Sequence, residues 1–293
     1  MHLYLRAVGF SNIITKEDLQ NLLNDVIANS SEKGFLETTH GSILVEYTRY
    51  YSQSIGITLR GEYDDRNQLT LDFYYPVCNS MKVSTHEDIT IERHIREESY
   101  AGICDDMRIG VSMIFFLQNG LEYMKENCEN NLSQYHTSVN FSALSLQGKI
   151  MLPIKKNAKQ KELIEKTNNA RSNLIVRARQ GDEEAIENLT LDDIDTYTSI
   201  SRKILKEDVF SLVDTYFMPY GAECDLYSVL GEIVDVSLET NTLTKEEIYI
   251  LSLECNGIPI ELCINEKDLM GEPKVGRRFK GTVWLQGKIN FSN

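Results

Sequence analysis

Long apolar runs are missing from this sequence. The longest strongly apolar stretch, Val111 to Leu117, falls far short of the roughly 20 residues that a membrane-spanning helix requires. Cations are scarce too: 30 lysines and arginines stand against 44 acidic residues, for a formal charge of −14. A field of that sign repels polyanions and acidic membrane surfaces at long range, which argues against general nucleic-acid binding. The six cysteines are scattered and form no C-x-x-C pair. The first residues, Met1-His2-Leu3-Tyr4-Leu5-Arg6, lack the basic-then-apolar order of a secretion signal. Together these features predict a cytoplasmic protein in a reducing compartment, with each cysteine serving as a small buried hydrophobe.

Catalytic signatures are absent as well. The sequence has no G-x-S-x-G elbow, no P-loop, no G-x-G-x-x-G, no EF-hand loop and no H-x-x-x-H. It also has no internal repeat and no low-complexity tract.

What is present is an ordinary globular composition, 42% hydrophobic and 25% charged, in a chain long enough for two domains. The clearest structural statement lies near its end. Tyr249, Leu251, Leu253 and Cys255 alternate with polar or small residues, Asn256-Gly257 follows, and Ile258, Ile260, Leu262 and Ile264 alternate in turn. Asn-Gly supplies the two positive-φ residues of a type I′ turn. A two-residue turn pairs Cys255 with Ile258, Leu253 with Ile260, Leu251 with Leu262 and Tyr249 with Ile264, which puts every pair apolar on one face. In that register Cys263 faces the opposite side from Cys255, so those two do not form a disulfide.

Elsewhere the spacing predicts a strand over Leu3 to Phe10 and a helix opened by the capping-box sequence Thr15-Lys16-Glu17-Asp18. Leu19, Leu22, Leu23, Val26 and Ile27 keep that helix's apolar rhythm. A β-meander follows through Ile43–Tyr51, Ile55–Leu59 and Leu69–Phe73, with Arg49 an anomaly on the inner face. Thr90 to Arg96 reads as extended, Ile109 to Leu117 as a buried strand before a short helix, and Val139 to Leu152 as a hairpin around Gln147-Gly148. From about Lys159 the pattern turns helical: a long helix ending at Gly181, a short one over Asp182 to Leu189, and another whose stripe is Ile194, Tyr197, Ile200, Ser201 and Ile204.

The expected fold class is therefore α+β: an N-terminal mixed α/antiparallel-β domain over 1–153, a helical middle segment over 154–221, and a C-terminal small antiparallel β module over 222–293. Strand, hairpin, small helix and strand in the last part are compatible with a small, partly open barrel of the oligonucleotide/oligosaccharide-binding (OB-like) class.

Two passages carry a resemblance. Leu262 to Pro273, with Gly276-Arg277-Arg278-Phe279-Lys280-Gly281 and Trp284-Leu285-Gln286-Gly287, is one; Gly181 to Glu187, running on to Asp193-Ile194-Asp195-Thr196-Tyr197, is the other. The chain resembles, over its whole length, an uncharacterised family of clostridial Gram-positive bacteria, a domain of unknown function. The resemblance implies a bacterial cytoplasmic origin and assigns no activity, ligand or catalytic residue.

Three functional readings follow from the residues. Arg277, Arg278, Lys280 and Trp284 are ligand-binding candidates, because cations beside an aromatic platform hold phosphates and stacked bases; the competing account pairs these cations with Glu254, Glu261, Glu266, Asp268 and Glu272. His86, Glu92, His94, Asp105 and Asp106 are metal-ligating candidates in type, without a diagnostic spacing. Cys104 sits beside Asp105-Asp106, whose charge blunts a thiol nucleophile. The leading expectation is a non-catalytic binding or regulatory protein without cofactor or metal, whose partner is a protein or a small anionic ligand. The alternatives are a nucleic-acid contact through the cationic run and a metal-dependent hydrolase.

Overall fold

The computed structural model describes residues 2–38, 41–93, 99–106, 108–128, 136–154, 173–174, 177–178, 181–189, 191, 213–222 and 224–292. Strand accounts for 51% of these residues and helix for 19%. The α+β expectation is corrected accordingly: the described residues are mainly β and form two sheets. Most of the helical middle expected over 154–221, including most of the long helix from Lys159 and all of the stripe from Ile194 to Ile204, lies outside the described residues, and the end of the segment is a strand rather than a helix. A short helix over 183–189 does form, with Ala185 buried. Among the described residues no helix is long and apolar enough to cross a membrane.

Strands β1 (Glu32–Glu37), β2 (Ile43–Tyr50), β3 (Ile55–Tyr63) and β4 (Leu69–Cys78) form an antiparallel meander in that spatial order. Alternation gives its two faces different characters. Val45, Tyr47, Ile57 and Leu59 point to one side, where they join Leu22, Leu23 and Val26 of α1 (Lys16–Ala28) in one apolar cluster. Thr15 and Asp18 close the capping box at the start of that helix. Arg49, anomalous in the sequence, pairs with Asp25 of α1, and its guanidinium lies 4.8 Å from the centre of the Tyr51 ring.

The second sheet takes β5 (Ile89–Arg93), β6 (Tyr100–Cys104), β7 (Met113–Leu117), β8 (His136–Met151), β9 (Tyr216–Pro219), β10 (Leu226–Thr240), β11 (Glu247–Cys255), β12 (Ile258–Asn265), β13 (Leu269–Met270) and β14 (Arg278–Ser292). Five of these close on themselves. β10, β11 and β12 pair antiparallel in succession, β12 pairs parallel with β8, β8 pairs antiparallel with β14, and β14 returns to β10. The expected antiparallel C-terminal module is thus corrected: its ring includes a parallel step and needs β8, a strand from the first half of the chain.

The β11–β12 hairpin has the register read from the sequence, Cys255↔Ile258 through Tyr249↔Ile264. Asn256 and Gly257 take φ of 51° and 80°, as a type I′ turn demands. Leu251, Leu253, Ile260 and Leu262 join Phe141, Phe279, Val283 and Leu285 in the ring's cluster. The opposite face of the same strands is also covered. Leu144, Ile250, Cys263 and Trp284 pack with the first segment and the four-stranded sheet.

Two local expectations change. The first segment is a 3₁₀ helix (Leu3–Val8), not a strand; the His2 side chain accepts from the Tyr4 N–H, and Gly9 ends it at φ 90°. The hairpin expected around Gln147-Gly148 is the single strand β8. Gly148 does not turn there; its missing Cβ leaves room for the Phe279 ring across the sheet.

Candidate functional site: a polar cleft on the four-stranded sheet

The other face of the meander is polar by the same alternation. Glu46, Thr48 and Tyr50 on β2 stand opposite Arg60, Thr58 and Gly56 on β3. Helix α2 (Gly120–Cys128) packs over β1 and β2 on this side. Its close approach depends on Gly34, where an added Cβ would sit 2.7 Å from the Leu121 side chain. Between helix and sheet lies a cleft of about 350 Å³, into whose lining β14 also sends Lys288.

At one end of the cleft is a buried ion pair. The Arg60 Nη2 lies 2.7 Å from Glu46 Oε2, and the guanidinium stands 5.2 Å from the Phe73 ring centre. Arg60 is 2% exposed. Burial alone would lower its pKa, but the charge and hydrogen bond of Glu46 together with Tyr75 and Tyr100 more than offset this and Arg60 stays cationic. Burial lifts the Glu46 carboxyl above the usual range despite the attraction of Arg60. Beside the pair, the Thr48 and Thr58 hydroxyls are 2.8 Å apart and satisfy each other. Tyr50 differs: burial, helped by Glu32 and Glu46, pushes its phenol up to about 12, so it stays protonated and can donate.

The loop entering α2 supplies the remaining floor. Gln118 Nε2 donates to the Cys78 carbonyl at 3.0 Å and to Gln286 Oε1 at 2.8 Å. Asn119 is fixed on both sides, donating to the Ile289 carbonyl and Glu122 and accepting from the Ile289 N–H. Lys125 and Lys288 bring positive charge to the lining, against Glu32 and Glu122, while the Lys33 ammonium lies over the Tyr47 ring on the other face of the sheet. The lining residues include no histidine, cysteine or serine. The arrangement can hold and orient polar groups.

The residues singled out in the sequence lie elsewhere and do not share one surface. Trp284 is 6% exposed, donates to Asp225 at 2.6 Å and packs against Tyr4 and Phe116. It is core, not an exposed stacking platform. Arg278 is buried and donates to the carbonyls of Leu152 and Val213. Its burial lowers its pKa from the usual value. Arg277 donates to the Glu272 carbonyl at 2.7 Å, and Lys274 pairs with the Glu272 carboxylate at 2.8 Å. Arg277 and Arg278 also border a second hollow of about 540 Å³ beside Leu152 and Asp214. Lys280 is half-buried on the strand between them and Trp284.

The metal-ligating candidates among the described residues do not converge. His86, Glu92 and Asp105 are exposed, Asp105 accepts from Ser112, and His94 lies outside the described residues. Asp106 is buried and held by Arg108 and Thr85. Among the described residues no three His, Cys, Asp or Glu side chains stand close enough to hold a metal. Burial, reinforced by Asp106, pushes the Cys104 thiol up to about 12.

One cysteine expectation is corrected. Cys78 at the end of β4 and Cys263 on β12 form a disulfide. Facing away from Cys255 freed Cys263 to meet a partner on the other sheet.

The cleft itself was missed in the sequence. Its signal was the second alternation inside the meander, Glu46, Thr48 and Tyr50 against Thr58 and Arg60, in strands that otherwise read as simple half-buried β.

Neither the curated proteins nor the solved structures contain a match to the chain. A family model does match, described as "Domain of unknown function, E. rectale Gene description (DUF3881)", over residues 5–287. That span is nearly the whole sequence, and the chain therefore belongs to this family of domains of unknown function.

Proposed function

We propose that this chain is a non-catalytic cytoplasmic binding protein whose cleft between β1–β3 and α2 takes a small ligand carrying an anionic group. One observation carries the reading: a fixed polar hollow of ligand size, about 350 Å³, whose charges balance although the chain as a whole is strongly acidic. With Glu46 set against Arg60, Lys125 and Lys288 face Glu32 and Glu122, in a protein of formal charge −14. The floor groups are already held by neighbours, so little ordering cost falls on binding. The Tyr50 phenol, protonated at neutral pH, adds a donor. The nucleic-acid alternative loses support because Trp284 is enclosed, and the hydrolase because its candidate ligands are dispersed.

Thermal unfolding in inorganic phosphate, citrate and adenosine monophosphate tests this. At least one should raise the Tm in a saturable manner, and Lys288→Glu or Lys125→Glu should abolish the rise. No shift with any of the three at millimolar concentration, or a shift that both variants retain in full, sinks the reading.

A further inference from the structure

We infer that Cys78 and Cys263 form a redox latch, closed by a thiol oxidant and opened by a dithiol, that ties the four-stranded sheet to the ring and sets the floor of the cleft. The inference rests on the reading of that cleft as the binding site. The two residues are 185 positions apart, with Cα atoms 6.1 Å from each other, and both are fully buried. Their bond is the one disulfide among the described residues, and it joins the two sheets.

Its position couples it to the cleft. Val77 and Asn79, the neighbours of Cys78, are both lining residues. The Cys78 carbonyl accepts from Gln118, another lining residue. Gln286 accepts from that same Gln118 amide and donates to the Pro76 carbonyl at 2.8 Å. Segment 76–78 is therefore clamped by the Gln286 carboxamide and the disulfide from the ring and by Gln118 from the loop entering α2, and only the disulfide depends on redox state. In a cytosolic protein such bonds are characteristically transient and sensing rather than permanent staples.

The chemistry is a two-electron exchange. The thiolate of a dithiol such as reduced thioredoxin or dithiothreitol attacks one sulfur, the other leaves as a thiolate and takes a proton, and the second thiol of the reductant closes its own disulfide. Both protein sulfurs end as thiols and the reductant ends oxidised. Closure is the reverse, with glutathione disulfide as oxidant. Because both sulfurs are buried, exchange requires local opening of the sheet contact and is slower than at an exposed pair.

The test uses the full chain equilibrated in glutathione buffers of graded potential, followed by quenching, alkylation and peptide mass analysis. Cys78 and Cys263 should change together in one two-electron step, while the other four cysteines, free in the structure, stay alkylated throughout. Amide exchange over 77–79 and at Gln118 should speed up at least tenfold on reduction, and Cys263→Ala should reproduce this in the absence of reductant. Independent alkylation of the two residues, a bond that no cytosolic potential opens, or unchanged exchange at 77–79 would each overturn the latch. Phosphate, citrate and adenosine monophosphate titrations of both redox forms separate the two ideas. If none of these probes binds either form, the cleft reading fails and the coupling to a ligand with it, while the alkylation and exchange data still decide whether the latch exists. Equal binding to both forms overturns the coupling alone.

Discussion

Gly148 on β8 and Phe279 on β14 face each other so closely that a Cβ on the glycine would overlap the phenyl ring. The ring fills the space a side chain would take, so the closed barrel depends on this glycine. Gly148→Ala should cost about 1–3 kcal/mol through overpacking, and Gly148→Val more. Urea unfolding checks it, and a midpoint unchanged from the parent would show that the strands part easily at this point. Adding Phe279→Leu to Gly148→Ala should recover part of the loss.

The Glu46–Arg60 pair gives a pH dependence whose sign is opposite to that of an ordinary ion-paired carboxylate. Burial raises the Glu46 pKa above 4.5, so the folded state holds this proton more tightly than the unfolded chain. The stability it contributes is present at low pH and is lost as pH rises from 4.5 through the raised value. Relative to Glu46→Gln, the parent should therefore lose Tm as pH climbs from about 4 to about 7, at roughly 2–4 °C per kcal/mol. A difference that is flat or rising over that range would contradict the assignment. Arg60→Met, which strands the Glu46 charge in the interior, should cost about 3–5 kcal/mol near neutral pH.

Asp106 should behave in the conventional way. Burial pushes its pKa up, but hydrogen bonds from Arg108 and Thr85 more than offset this and hold it below 3.8. Its contribution is present above that ordinary value and disappears as pH falls through the lowered one. Asp106→Asn should be less stable than the parent by about 1–3 kcal/mol near neutral pH, and the gap should close in acid. Denaturant titrations near pH 7 and pH 3 measure both limbs.

Trp284 offers an optical check on the inter-sheet contact. An indole enclosed between Tyr4 and Phe116, with its N–H on Asp225, should emit toward the blue and resist acrylamide quenching. Single-stranded oligonucleotides should leave that emission unchanged even at low salt. Asp225→Ala removes the acceptor of a buried donor, at a cost of about 1–3 kcal/mol.

The sequence resolved the pieces better than their surroundings. The β11–β12 pairing and the Thr15–Asp18 box were legible to the residue, because a two-residue turn and a local cap are set by neighbours along the chain. The fate of Trp284 was not. Period-two alternation tells which residues share a face, and says nothing about whether another sheet covers that face. The same blindness hid the partner of Cys263, and it turned Gly148 from a position of close approach into an imagined turn. Polar alternation at Glu46, Thr48, Thr58 and Arg60 was visible, but nothing in it told of a helix over that face, since α2 arrives from a segment far along the chain.

One guanidinium, that of Arg278, grips the carbonyls of Leu152 and Val213 together. The backbone thus leaves the barrel wall and rejoins it at a shared clasp, with the first stave, β8, already laid down before the departure. A piece beginning at residue 213 would be missing β8 and should expose the raw edges of β12 and β14, making it insoluble alone. Mixed with a piece ending at residue 154, it should reconstitute a soluble, proteolysis-resistant whole.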